Sequence, residues 1–165
     1  MATELDTVGA AVRERRELLG LSQTRLAHLS GLSRQTLSGL ESGTLHDLGF
    51  NRVAQLLNVL GLNSGVPNAE MRNRKKGLWM AAKTASVSYK EEMDTATLSR
   101  ALVTGQLPKQ FIAHVARLLD EAPIPVIVMA VEEAARNEHV QPKAVWRNIS
   151  KLAKSLDLSR KHALA

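Results

Sequence analysis

Residues 22–43 read SQTRLAHLSGLSRQTLSGLESG, and their spacing decides how this part of the chain folds. Ala27 stands four residues before Gly31, while Leu37 and Leu40 stand six and nine after it. Two short helices that cross steeply leave room for only a small side chain where they meet, and Ala27 supplies one. Gly31 closes the turn between them, because a left-handed backbone costs Gly little. Ser22 and Ser33 are suited to cap the starts of the two helices. Leu37 and Leu40 lie three apart on one face, so the second helix can rest on the first and keep its other face free.

A free helical face of this kind fits the major groove of DNA. The segment resembles the phage-repressor and Cro-like (XRE-type) helix-turn-helix regulators. Their pattern of Ser-Gln-x-x-Leu-Ala, a turn Gly and Glu-x-Gly stands here as Ser22, Gln23, Leu26, Ala27, Gly31, Glu41 and Gly43. With its flanking helices the likeness covers about residues 8–62. It implies an all-α, lambda-repressor-like fold of four or five short helices. It also implies that Arg34 and Gln35 reach base edges, Arg pairing with guanine O6 and N7 and Gln with adenine N6 and N7. Ser38 shares their face, and Ser33 and Thr36 come within reach of a phosphate or a thymine methyl. Gly39 departs from the family, which often places a long polar reader there. Either the backbone approaches DNA closely at Gly39, or the contacts concentrate on Arg34 and Gln35. Gln23 falls where the family binds a phosphate, at a helix start whose free N–H groups favour anions. Arg16 and Glu41 occupy positions that often form an ion pair between helices, which we read as structural.

Outward from the motif, Val8, Ala11, Val12, Arg15, Leu18 and Leu19 follow helical spacing and Gly20 stops them. Val53, Leu56, Leu57 and Leu60 make a fourth amphipathic helix that Gly61 closes. These observations set a DNA-binding domain at residues 1–62, a basic linker at 63–77 and a mainly helical C-terminal domain at 78–165. The linker begins as NSGVPN and continues with Arg72, Arg74, Lys75 and Lys76. Such a charge run reads either as a solvated surface or as an arm touching phosphates. Beyond it, alternation at Ala85, Val87 and Tyr89 suggests a short strand over SVSYK. Asp94 can cap a helix bearing Leu98, Ala101 and Leu102, ended by Gly105 and Pro108. Phe111, Ile112, Val115, Leu118 and Leu119 form the next stripe, Pro123 and Pro125 break it, and residues 126–140 resume as helix. A last helix starts near Pro142 and presents Val145, Trp146, Ile149, Leu152 and Leu156. Its other side carries Lys143, Arg147, Lys151 and Lys154 at steps of four, four and three. That stripe is a candidate secondary basic surface for nucleic acid or an acidic partner, or an ordinary solvated face.

Composition narrows the function. The 165 residues contain no Cys, which excludes disulfides, thiolate metal sites and thiol catalysis and suits a reducing cytoplasm. The N-terminus MATELDTVGA lacks the pattern of a signal peptide, and no apolar run is long enough for a membrane span. The net charge is +6, yet residues 1–62 carry six basic and six acidic side chains, so the excess lies outside the motif. His28, His46, His114, His139 and His162 show no metal-ligand spacing, and no Gly-rich phosphate loop or catalytic constellation is present. The expectation is a cytoplasmic, non-enzymatic, cofactor-free protein whose partner is double-stranded DNA. One helix-turn-helix buries little DNA surface, so a homodimeric repressor is expected, with residues 78–165 supplying the dimer contact or a protein partner site. The other reading is an antitoxin-like protein that represses its own operon and binds a partner through that same half.

Overall fold

Apolar residues at three- and four-residue steps give helices along the chain, and the computed structural model describes residues 4–62 and 76–165. The first part comprises α1 (Glu4–Leu18), α2 (Gln23–Ser30), α3 (Arg34–Glu41) and α4 (Phe50–Leu60). The second comprises α5 (Gly77–Ser86), α6 (Thr95–Thr104), a 3-10 turn (Lys109–Phe111), α7 (Ile112–Glu121), α8 (Ile124–Asn137), α9 (Pro142–Ser155) and α10 (Lys161–Leu164). No strand occurs among the described residues, so the fold is all-α with a helix-turn-helix at its N-terminal end.

Local chemistry sets the helix ends. Ser22 Oγ accepts from the Arg25 N–H at 3.1 Å, and Ser33 Oγ from the Thr36 N–H at 3.0 Å. Gly31 takes φ +70 at the end of α2, which satisfies carbonyls of its last turn. Asp94 caps α6 through the Thr97 N–H at 2.6 Å, and that bond holds its carboxyl below the ordinary range.

Two expectations about elements need correction. SVSYK is not a strand: α5 runs to Ser86, and the Tyr89 N–H turns back to the Ser86 carbonyl at 3.0 Å. The alternation arose because a buried helical Ala85, an exposed Val87 and a turn residue followed one another. Pro123 and Pro125 do not delay the next helix to residue 126. Pro125 sits in the first turn of α8, where a missing N–H costs nothing. The short α10, which follows the expected last helix, was not signalled by any stripe.

Within the first part, α3 packs on α1 and α2, and α4 packs on the same two helices. Val12, Leu26, Leu37, Leu40, Leu56 and Leu60 form their common interior. The apolar α8 is central to the second part, packed against α5, α6 and α9, and it also meets α4. The two parts therefore share one continuous core. Trp146, fully buried, donates its indole N–H to the Leu19 carbonyl at 3.1 Å. Arg15 pairs with Glu132 at 2.7 Å, and α10 lies on α2 with Leu164 buried. None of the described helices is long and apolar enough to cross a membrane.

Candidate nucleic-acid interface

The orientation of α3 follows from its two faces. Leu37 and Leu40 are buried against α1 and α2, which turns Arg34, Gln35 and Ser38 outward. Arg34 and Gln35 are exposed, and together with Ser38, Gly39, Ser42 and Thr44 they line a shallow polar concavity. Ser33 and Thr36 are not part of its lining, and their hydroxyls are joined at 2.8 Å. Both are thus already engaged in the N-cap of α3.

Gly39 has a local role that neither sequence-based reading supplied. Its carbonyl accepts from the N–H groups of Thr44 at 2.9 Å and Leu45 at 3.1 Å, so the chain after α3 folds back over it. A Cβ at position 39 would touch Leu45 Cβ and Thr44 Oγ1 at 3.6 Å, which is ordinary contact. A longer side chain would press on that returning turn. Ser42 and Thr44, whose hydroxyls join at 3.0 Å, consequently border the same concavity. The Glu-x-Gly signal fixes the helix end but does not show where the following residues go.

Behind the exposed face, three helices are tied by charge. Arg16 donates from Nε to Glu41 Oε1 at 2.7 Å and from Nη2 to Oε2 at 2.9 Å. The side chains are only 11% and 3% exposed, so this is a buried, two-pronged pair. The hydrogen bond that Arg16 donates to Glu41 pushes its guanidinium above its already high range. Arg16 Nη1 also donates to the Leu21 carbonyl at 2.9 Å, holding the turn into α2. Gln23, at the start of α2, donates Nε2 to Glu41 Oε2 at 2.9 Å. The sequence assigns Gln23 only to a phosphate; the structure adds a bond that fixes its amide.

The remaining candidates lie elsewhere. Lys76 is exposed just ahead of α5, while Arg72, Arg74 and Lys75 fall outside the described residues. Lys143, Arg147, Lys151 and Lys154 are all exposed along α9. His114 is buried, stacked on Tyr89 at 4.0 Å, with Nε2 donating to the Glu91 carbonyl at 2.8 Å. No cluster of His, Asp and Glu among the described residues could hold a metal ion.

Residues 12–65 match the family model described as helix-turn-helix. This segment is a helix-turn-helix domain. The match ends with the segment, and no curated protein or solved structure matches the chain. The helix-turn-helix domain presents α3 as its outward helix, with α2 lying across behind it.

Proposed function

We propose that this protein is a sequence-specific DNA-binding transcriptional regulator, acting as a homodimeric repressor that reads the major groove with α3. One observation carries the reading: Arg34, Gln35 and Ser38 project from the face opposite Leu37 and Leu40. Arg34 then pairs with guanine and Gln35 with adenine, each good pair contributing about 1–3 kcal/mol of discrimination. Gln23 and the N–H groups at the start of α2 hold a phosphate, setting the register without reading sequence. The buried Arg16–Glu41 pair keeps α3 at a fixed angle to α1 and α2.

The dimer follows from interface size, since a single domain of this kind covers too little DNA for tight specific binding. Residues 78–165 support it with exposed apolar side chains on and just after α5, where Trp79 is 51% and Val87 75% exposed. The test is selection of genomic fragments bound by the purified full chain. An inverted repeat with half-sites about 34–36 Å apart, one helical turn, is the expected result. Absence of any enriched sequence would overturn it and favour a protein that uses its helices to bind another protein.

A further inference from the structure

Gly20 ends α1 with φ +66, a conformation that L side chains rarely adopt. A Cβ there would lie 2.4 Å from Lys143 N and 2.9 Å from Lys143 Cα, so the first turn of α9 sits directly against this glycine. Trp146, three residues further along α9, is fastened to the Leu19 carbonyl at 3.1 Å and has Arg25 of α2 5.9 Å from its ring centre. The start of α9 is therefore built into the turn that leads to Ser22 and Gln23.

From that point the exposed Lys143, Arg147, Lys151 and Lys154 run along one face of α9, with Trp146 and Ile149 buried on the other. At the helical rise their stripe spans about 16 Å. None of the four forms an ion pair among the described residues. Residues 1–62 carry as many acidic as basic side chains, so the helix-turn-helix domain alone has no net attraction for a polyanion. Lys143, the first residue of the cationic stripe, has its backbone against Gly20, three residues before α2 begins.

We propose that α9 extends the DNA-binding face, with Lys143 and Arg147 contacting the phosphate backbone beside the start of α2. This rests on the reading of the domain as DNA-binding. The seating of the start of α9 on the turn that leads to Gln23 and the absence, among the described residues, of ion pairs along the stripe favour DNA over an acidic protein as the occupant. The contacts carry no base information; they add affinity and fix the approach of the domain.

The test uses the full chain with Lys143→Ala and Arg147→Ala combined, both at exposed positions. Affinity for an enriched fragment and for a scrambled fragment is measured across a salt series. The double variant should weaken both, leave their ratio unchanged, and reduce the slope of log affinity against log salt by about 1.8, or 0.9 per contact. Lys143→Glu, which changes the charge by the same two units, should also weaken both. Unchanged affinity and slope would overturn the proposal, and if Gln23→Ala still weakened binding the DNA-binding assignment would stand without it. A wild-type chain with no affinity for DNA would overturn both.

Discussion

The two carboxylate oxygens of Glu41 serve three helices, accepting from Arg16 of α1 and Gln23 of α2 while belonging to α3. Because Glu41 is only 3% exposed, water cannot replace either bond. Glu41→Gln leaves Arg16 only its longer, exposed ionic contact with Glu17 at 3.5 Å and should cost about 3 kcal/mol, read as a lower urea midpoint. The same change replaces the charged acceptor of the Gln23 amide with a neutral one, so DNA affinity should fall even where the variant remains folded. Arg34→Ala should behave differently, removing the preference for an enriched sequence while sparing salt-sensitive non-specific binding. Gln23→Ala should weaken all sequences evenly; comparative titrations on enriched and scrambled fragments separate the two. The Arg16 and Glu41 positions were legible through the resemblance, 25 residues apart as they are. The third member was not, because an amide's partner depends on how three helices cross.

At the scale of elements, α1 and α3 meet at Gly9, where a Cβ would lie 2.1 Å from the Leu40 carbonyl oxygen. Ala in place of a mid-helix Gly ordinarily adds about 1 kcal/mol of stability. Here it would force α3 off its backbone contact, and overpacking of this kind costs about 1–3 kcal/mol. Gly9→Ala should therefore lower the thermal midpoint. The helix ends contribute to the acid sensitivity of the fold. Asp120 accepts from Ser159 Oγ at 2.5 Å and from the Arg160 N–H at 3.0 Å, which tie the end of α7 to the turn before α10. These bonds, the Ser159 hydroxyl first, hold its pKa below the ordinary 3.8, as the Thr97 N–H does for Asp94. A depressed carboxyl stabilises the fold fully above its unfolded pKa, and that contribution is lost as pH falls from about 3.8 through the folded value. Unfolding followed by circular dichroism should show Asp120→Asn flattening this acid limb without affecting the neutral plateau's shape. Capping residues such as Ser22, Ser33 and Asp94 were legible because caps act within four residues. Asp120 was not, since its partners lie about forty positions away.

Over the whole molecule, the helix-turn-helix domain and the helices around α8 are joined by the Trp146–Leu19 bond, the Arg15–Glu132 pair and α10 on α2. Described residues on both sides of the 63–77 segment contribute to one core, so thermal unfolding should be a single transition by circular dichroism and by tryptophan fluorescence alike. Two separated transitions would show that the parts unfold independently. The N-terminal fold was legible because its apolar spacing and turn residues form a combined pattern with a known geometry. The packing of residues 78–165 was not: several apolar stripes joined by short turns admit many pairings, and no resemblance selects among them. The central claim, that α3 reads sequence, is tested most directly by the ratio of affinities for an enriched fragment and its scrambled counterpart at one fixed salt concentration. A ratio of about 10³ or more is predicted for the wild-type chain. A ratio near one would contradict the account.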